Sequence, residues 1–204
     1  SLRGGYRSLS DVERNANDAK MIPAKANGFL NLFCNRRVAR ENAWLAPAVW
    51  ADNAGEPDWG VFRDNGVFIG LDLSQKHDLT VAVIAAKDDA GVVHVYPYAF
   101  TPEAGIDART ARDRVPYRTW ADTGVMTAVP GEIVDYDWVA QFLKVEMERH
   151  GIEVRGIGFD RWRAPEFFGA CERNGFAEYA DRKEYGQGFQ TMTLMIEAAE
   201  TALL

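Results

Sequence analysis

Cysteine is scarce in this chain, and its two cysteines, Cys34 and Cys171, lie far apart and form no Cys-x-x-Cys motif. Two isolated cysteines predict free thiols in a reducing compartment rather than a disulfide framework. The sequence has no run of 18 apolar residues, so it predicts no transmembrane helix. It does not open with a charged segment followed by an apolar one, and we therefore expect no secretory signal peptide.

Basic residues are not in excess either. The chain has 23 Lys and Arg against 30 Asp and Glu, which gives a formal net charge of -7. This charge argues against a protein that binds nucleic acid over its whole surface, although a local basic groove remains compatible with it. The GxxxxGK[ST] phosphate loop is also missing, so these 204 residues do not contain a P-loop ATPase.

The chain does contain enough apolar material for one domain, since 47% of its residues are hydrophobic. Residues 1–60 show little strand pattern and include the aromatic stretch NGFLNLFCNRRVARENAWLAPAVW. We interpret them as an arm that packs on a neighbouring domain. Residues 61–204 combine strand and helix patterns, which predicts an α/β domain.

Within this domain, three strands are predicted in close succession, at residues 67–73, 80–86 and 92–100. Short turns join them, which is typical of an antiparallel meander. The segment GEIVDYDWVAQFLKVEMERHG predicts a helix that an aspartate caps and a glycine ends. A buried strand, VRGIGFD, and a further helix follow it, and residues 176–180 are compatible with one more strand.

Two aspartates stand where predicted strands end. Asp72 follows an apolar run, and Asp160 follows the buried strand at 156–159. Because an unpaired buried carboxylate is unfavourable, each of them needs a partner. If the two strands lie side by side in parallel, both carboxylates lie at the edge of the sheet where ligand sites gather. A divalent ion such as Mg²⁺ or Mn²⁺ would offset their repulsion. Alternatively, each aspartate only caps the turn or helix after it.

Other candidates for metal or DNA contact lie near these strand ends. Asp78 is a candidate auxiliary metal ligand, or a turn residue that caps Thr80. His77 is a candidate phosphate contact, or an exposed turn histidine. Arg161 and Arg163 are candidate DNA-binding residues, because arginine neutralises phosphates.

Two further features of the sequence leave alternatives open. Trp162, between Arg161 and Arg163, either packs against sugar or base or lies in the core. A second group of arginines forms either a phosphate-binding rim or a solvated face; it comprises Arg109, Arg112, Arg114 and Arg118.

Four segments, in this order, resemble the nuclease domain of tailed-bacteriophage terminase large subunits: GLDLSQKHDLTVAVI, GEIVDYDWVAQFL, GIGFDRWRAPEFFGACERNG and GQGFQTMT. The resemblance covers roughly residues 60–204. It implies an α/β, RNase H-like fold, with a mixed sheet of an antiparallel meander plus parallel strands, flanked by helices. It also implies that residues 1–60 are a linker from a preceding ATPase domain, and that residues 61–204 are the nuclease domain.

The resemblance implies a metal-dependent endonuclease that cuts concatemeric double-stranded DNA by a two-metal mechanism. Asp72 and Asp160 match the first and second acidic ligands, and two Mg²⁺ or Mn²⁺ ions are expected in a complete site. The third acid of such sites is expected beyond Leu204, so we expect the domain to be truncated there, which leaves the activity of these residues open. The expected partners are the ATPase domain, the small terminase subunit and the portal, in the cytoplasm of an infected or lysogenic bacterial host, with no membrane.

Two other functions are kept as alternatives. The domain could be a DNA-contacting or motor-docking module without activity in this part of the protein. The hairpin GLDLS…DLT also resembles the phosphate-binding hairpin of actin-like ATPases and sugar kinases, but that fold needs a second lobe that this chain is too short to hold. DNA cleavage and ATP binding distinguish the three functions.

Overall fold

The computed structural model describes residues 9–21, 29, 32–34, 45–74, 78–186 and 188–204. The chain divides into two compact units, Ser1–Ala54 and Gly55–Leu204. The first unit contains the helices α1 (Leu9–Met21) and α2 (Pro47–Asp52). None of the helices in the described ranges is long and apolar enough to cross a membrane.

The second unit is built on a mixed sheet, in which six strands are described, in the order β4-β3-β2-β1-β5-β6. Strand β1 pairs antiparallel with β2, which pairs antiparallel with β3. Strand β5 is parallel to β1 and to β6, and β4 is parallel to β3. The meander and the parallel strand next to β1 are therefore as the sequence predicts. The strands are β1 (Val67–Asp72), β2 (Thr80–Lys87), β3 (Val93–Pro102), β4 (Thr127–Val129), β5 (Val154–Phe159) and β6 (Asp181–Glu184).

Two helices of this unit, α6 (Tyr136–His150) and α7 (Ala164–Asn174), begin and end at signals in the sequence. The carboxylate of Asp135 accepts a hydrogen bond from the backbone N–H of Asp137 and caps α6, and Gly151, with a φ of 65°, ends that helix. Helix α7 has Pro165 in its first turn and ends at Gly175. The helices are α3 (Trp59–Asn65), α4 (Ile106–Asp113), α5 (Tyr117–Asp122), α6 (Tyr136–His150), α7 (Ala164–Asn174) and α8 (Phe189–Leu203).

Strand β1 alternates between a buried and an exposed face, because successive side chains of a strand point to opposite sides. Its buried residues pack in one apolar core with side chains of α6 and α7, such as Leu143 and Phe167. Asp72 lies on the exposed face, which corrects the expectation that this carboxylate is buried. The apolar run around it reflects one buried face of the strand and not two.

The strand expected at residues 176–180 is a turn in the structure, and that prediction is wrong. Ala177 has a φ of 52°, and the N–H of Ala180 donates to the carbonyl of Ala177 at 3.2 Å. The strand follows this turn, as β6, and all four of its residues are exposed and charged. An edge strand of this kind has no apolar alternation by which the sequence could identify it.

Candidate functional site

The structure places Asp72 and Asp160 side by side. In the parallel pairing of β1 with β5, Gly70 is opposite Gly158 and Leu71 is opposite Phe159. Asp72 and Asp160 each follow the last of these pairs, so they occupy neighbouring positions on strands about 4.8 Å apart. Both residues line one cavity of about 440 Å³. The two aspartates therefore meet at the carboxyl ends of adjacent parallel strands, as the sequence predicts.

The two carboxylates lack a cationic side chain as partner in the described parts of the chain; the nearby Arg161 and Arg163 pair with glutamates instead. Asp160 accepts a hydrogen bond of 3.4 Å from the backbone N–H of Trp162, so it also caps the turn that follows, through a long bond. Neighbouring carboxylates repel each other unless a proton or a cation lies between them.

These carboxylates suit a hard divalent ion, which prefers oxygen ligands. Such an ion would offset the repulsion between them, and both side chains are accessible from the cavity. Within the ranges that the structure describes, no group of three or more His, Cys, Asp or Glu is arranged to hold a metal. Among the described residues, Asp72 and Asp160 are therefore the carboxylates that line this cavity and could hold an ion.

A hydrogen-bond network links Ser74, two residues after Asp72, to the first residue of β2. The backbone N–H of Ser74 donates to the hydroxyl of Thr80 at 3.1 Å, and the hydroxyls of these two residues lie 2.9 Å apart. Thr80 is fully buried. The network fixes the position of Ser74 relative to β2, and no local pattern in the sequence indicates it, because the two residues are six positions apart.

Tyr136, at the start of α6, joins the same network. Its hydroxyl donates to the backbone carbonyl of Ser74 at 2.8 Å. Burial raises the pKa of the Tyr136 phenol, so the group stays protonated and able to donate. The contact joins residues 62 positions apart in the chain, and no local pattern predicts such a pair.

Asp78 lies outside the set of residues that line the cavity. Its exposed carboxylate accepts a hydrogen bond of 2.8 Å from the backbone N–H of Leu79, which is a local turn contact. The geometry thus favours the turn role over a ligand role, although the capped N–H is that of Leu79 and not of Thr80. His77 lies outside the described residues.

The segment after Asp160 is exposed at the carboxyl end of β5. The guanidinium of Arg161 lies 3.6 Å from the carboxylate of Glu184, and that of Arg163 lies 3.1 Å from Glu166. Trp162 is 68% exposed, so the alternative that places it in the core is wrong. The turn presents two cations and an aromatic ring to solvent beside Asp160.

The second arginine group divides between the interior and the surface, so Arg109 belongs neither to a rim nor to a solvated face. Arg109 is buried and donates to the carbonyl of Ala104 at 2.8 Å and to the hydroxyl of Thr101 at 3.0 Å, and also to the carbonyl of Pro102. Its role is to hold the corner between β3 and α4. At the surface, Arg112 and Arg118 pair with Asp113 and Asp107.

The rest of the cavity is largely apolar. Strand β2 contributes Val81 and Val83, Tyr185 follows β6, and helix α8 contributes Met192 and Met195. The sequence did not identify these residues, because the contribution of α8 to this cavity is a tertiary feature that leaves no local pattern.

Comparison with known proteins gives a consistent result. Residues 3–203 match the family described as "Terminase large subunit, endonuclease domain". The "Terminase, large subunit" of Enterobacteria phage HK97 is 34% identical over 202 residues, which cover 98% of this chain and 38% of that protein. The crystal structure of the HK97 bacteriophage large terminase superposes with a TM-score of 0.70 and 32% identity, over 98% of this chain and 40% of that one.

The chain thus spans about two fifths of the length of these relatives. The resemblance in the sequence and the predicted mixed α/β fold are both confirmed. The match covers nearly the whole chain, and the chain belongs to the terminase large subunit endonuclease-domain family.

Proposed function

We propose that this domain is a metal-dependent endonuclease that cuts double-stranded DNA, with Asp72 and Asp160 as its metal-binding carboxylates. The observation that supports the proposal is their juxtaposition. They end two adjacent parallel strands, line one cavity, and have no cationic side chain as partner in the described ranges.

The placement of the residues supports the following roles. Asp72 and Asp160 would hold Mg²⁺ or Mn²⁺, with Asp72 as the ligand shared by two ions. When bound, two such ions activate a water and stabilise the leaving 3′ oxygen. The network of Ser74, Thr80 and Tyr136 holds the residue two positions after Asp72 and would help to position Asp72 for this task. A third acidic ligand, which the family resemblance implies, remains a prediction.

The turn after Asp160 is the proposed contact to the DNA backbone. Arg161 and Arg163 would exchange their glutamate partners for phosphates, which is feasible because these ion pairs are exposed and therefore contribute little. The two cations also offset, locally, the negative charge of the whole chain. The proposed partners of the complete protein are double-stranded DNA, its ATPase domain, the small terminase subunit and the portal.

A DNA-contacting or motor-docking module without activity is the second candidate. It is favoured by the finding that the described residues bring together two carboxylates and not a cluster of three. The match of the whole chain to a terminase nuclease leaves the actin-like or sugar-kinase alternative without support.

Nicking of supercoiled plasmid with Mg²⁺ or Mn²⁺ tests the proposal. We expect slow cutting by the 204-residue chain. Asp72→Asn and Asp160→Asn should reduce the rate at least about 100-fold, since even residues that only support metal ligands lower activity by 10–100-fold. The control, Asp78→Asn, should cut like the wild type. A wild-type rate in Asp72→Asn would place the active site elsewhere. No cutting by the wild type with either metal would favour the second candidate.

A further inference from the structure

Among the described residues, no neighbour requires position 70 to be glycine. A Cβ on Gly156 would lie 2.9 Å from the ring of Phe68, and one on Gly158 would lie 3.0 Å from the ring of Tyr185. A Cβ on Gly70 would meet no atom of the described residues within 4 Å. All three glycines belong to the paired strands β1 and β5. Close packing therefore accounts for Gly156 and Gly158, whereas open space lies over Gly70.

The backbone does not require glycine at this position either. Gly70 is not among the glycines with positive φ, so an alanine would adopt its conformation without strain. Glycine inside a strand loses more conformational entropy on folding than alanine does, so stability alone favours a side chain here. Glycine in a strand often marks a site where a ligand approaches the backbone closely.

Gly70 lies on the floor of the cavity that contains the two aspartates. It precedes Asp72 by two residues on the same face of β1, about 7 Å away along the strand. The walls around it are apolar or aromatic and are formed by Val81, Val83, Tyr185, Met192 and Met195. The cavity, of about 440 Å³, falls in the size range of small-molecule sites, about 300–1,000 Å³.

We propose that the space over Gly70 is a subsite for one nucleoside of the cut strand, next to the scissile phosphate. This inference rests on the proposed function. A nucleotide joins a charged phosphate to a sugar and a base with apolar faces. The cavity likewise has a charged end, at Asp72 and Asp160, and a largely apolar part over Gly70. The phosphate belongs at the end with Asp72 and Asp160. The sugar and base belong over Gly70, against the methionine and tyrosine side chains, which suit contact with a flat ring.

The subsite also predicts a preference among DNA substrates. A base that enters this cavity cannot keep its partner in the duplex, and unpairing is easiest at a mismatch or in a single strand. We therefore expect the domain to cut faster at an unpaired nucleotide than within a perfect duplex of the same sequence.

Binding of thymidine 5′-monophosphate, compared with inorganic phosphate, tests the subsite in the presence of Mn²⁺. In the wild type, the nucleotide should bind more tightly than phosphate. Gly70→Val should weaken nucleotide binding about 10-fold or more, because the added methyl groups fill the subsite, while Mn²⁺ and phosphate binding are unchanged. Gly70→Ala is the milder variant; it should melt at or above the wild-type temperature and still weaken nucleotide binding.

The control is Gly55→Val, at a glycine outside the cavity that also has open space around it in the described structure; it should bind the nucleotide like the wild type. Equal affinity for nucleotide and phosphate, with normal Mn²⁺ binding, would overturn the subsite alone. So would unchanged nucleotide binding in Gly70→Val. Failure of the wild type to bind Mn²⁺ or phosphate would overturn the proposed function and the subsite with it.

Discussion

The hydroxyl of Tyr136 donates a hydrogen bond of 2.8 Å to the backbone carbonyl of Ser74, and thereby joins the start of α6 to the turn after β1. Ser74 stands two residues after Asp72, so we expect this bond to help position the Asp72 carboxylate. The proposed metal site and the packing of α6 would then be coupled through it.

We therefore predict that Tyr136→Phe lowers the free energy of unfolding by about 0.5–1.5 kcal/mol, the usual net contribution of one hydrogen bond. The variant should also bind Mn²⁺ more weakly, because Asp72 is held less firmly. Thermal melting and titration calorimetry measure the two effects. Tyr179→Phe is the control, since Tyr179 is 97% exposed. Unchanged Mn²⁺ affinity in Tyr136→Phe would show that the network does not position the site.

A second prediction concerns the buried arginine. Arg109→Leu should lower the free energy of unfolding by at least about 2 kcal/mol, because it removes the donors to Ala104, Thr101 and Pro102 and leaves the buried acceptors of Thr101 and Pro102 without them. Arg112→Leu, on the same helix but exposed, should change the stability little. Urea denaturation of both variants makes the comparison. Equal losses in the two would contradict a structural role that is particular to Arg109.

The two thiols should differ sharply in reactivity. Both are free, but Cys34 is exposed and Cys171 is buried. Burial raises the pKa of the Cys171 thiol to about 12, so very little thiolate exists near neutral pH. At pH 8, we expect a disulfide reagent to modify one thiol of the folded protein quickly and both thiols in denaturant. The variant Cys34→Ser should remove the fast phase. Two fast thiols in the folded wild type would contradict the burial of Cys171.

Local signals in the sequence predicted much of the fold. The cap at Asp135 and the stop at Gly151 define α6, and the strand patterns locate β1, β2 and β5. Helix caps, helix stops and strand alternation each depend on a few consecutive residues, so they can be recognised in the sequence alone. The sequence also predicted that Asp72 and Asp160 are neighbours, because parallel strands bring their carboxyl ends to the same end of the sheet.

The rest of the site depends on tertiary contacts that leave no local pattern. The exposure of Asp72 follows from the one-sided packing of β1. Likewise, the open space over Gly70 exists because α8 and Tyr185 form walls around it and do not fill it. In the sequence, Arg109 resembles a member of a basic surface group. Its burial becomes evident only in the structure, where it lies between the end of β3 and the start of α4.

A fourth prediction concerns the choice of metal. The 204-residue chain should bind metal weakly and should prefer Mn²⁺ to Mg²⁺. Two carboxylates supply less charge than complete sites of this type do, and Mg²⁺ demands near-ideal octahedral geometry and loses water reluctantly. Titration calorimetry with each ion measures the preference. Tight Mg²⁺ binding would mean that a further ligand acts in the site, and Asp78 would be the first residue to replace.

The central claim is that Asp72 and Asp160 hold the same ion. The most direct test is a double-mutant cycle of Mn²⁺ binding, with the wild type, Asp72→Asn, Asp160→Asn and the double variant, each checked for an unchanged melting transition. If both carboxylates bind one ion, each single change should remove most of the affinity, and the double change should weaken binding little further. Losses that simply add, or wild-type affinity in either single variant, would contradict a shared site.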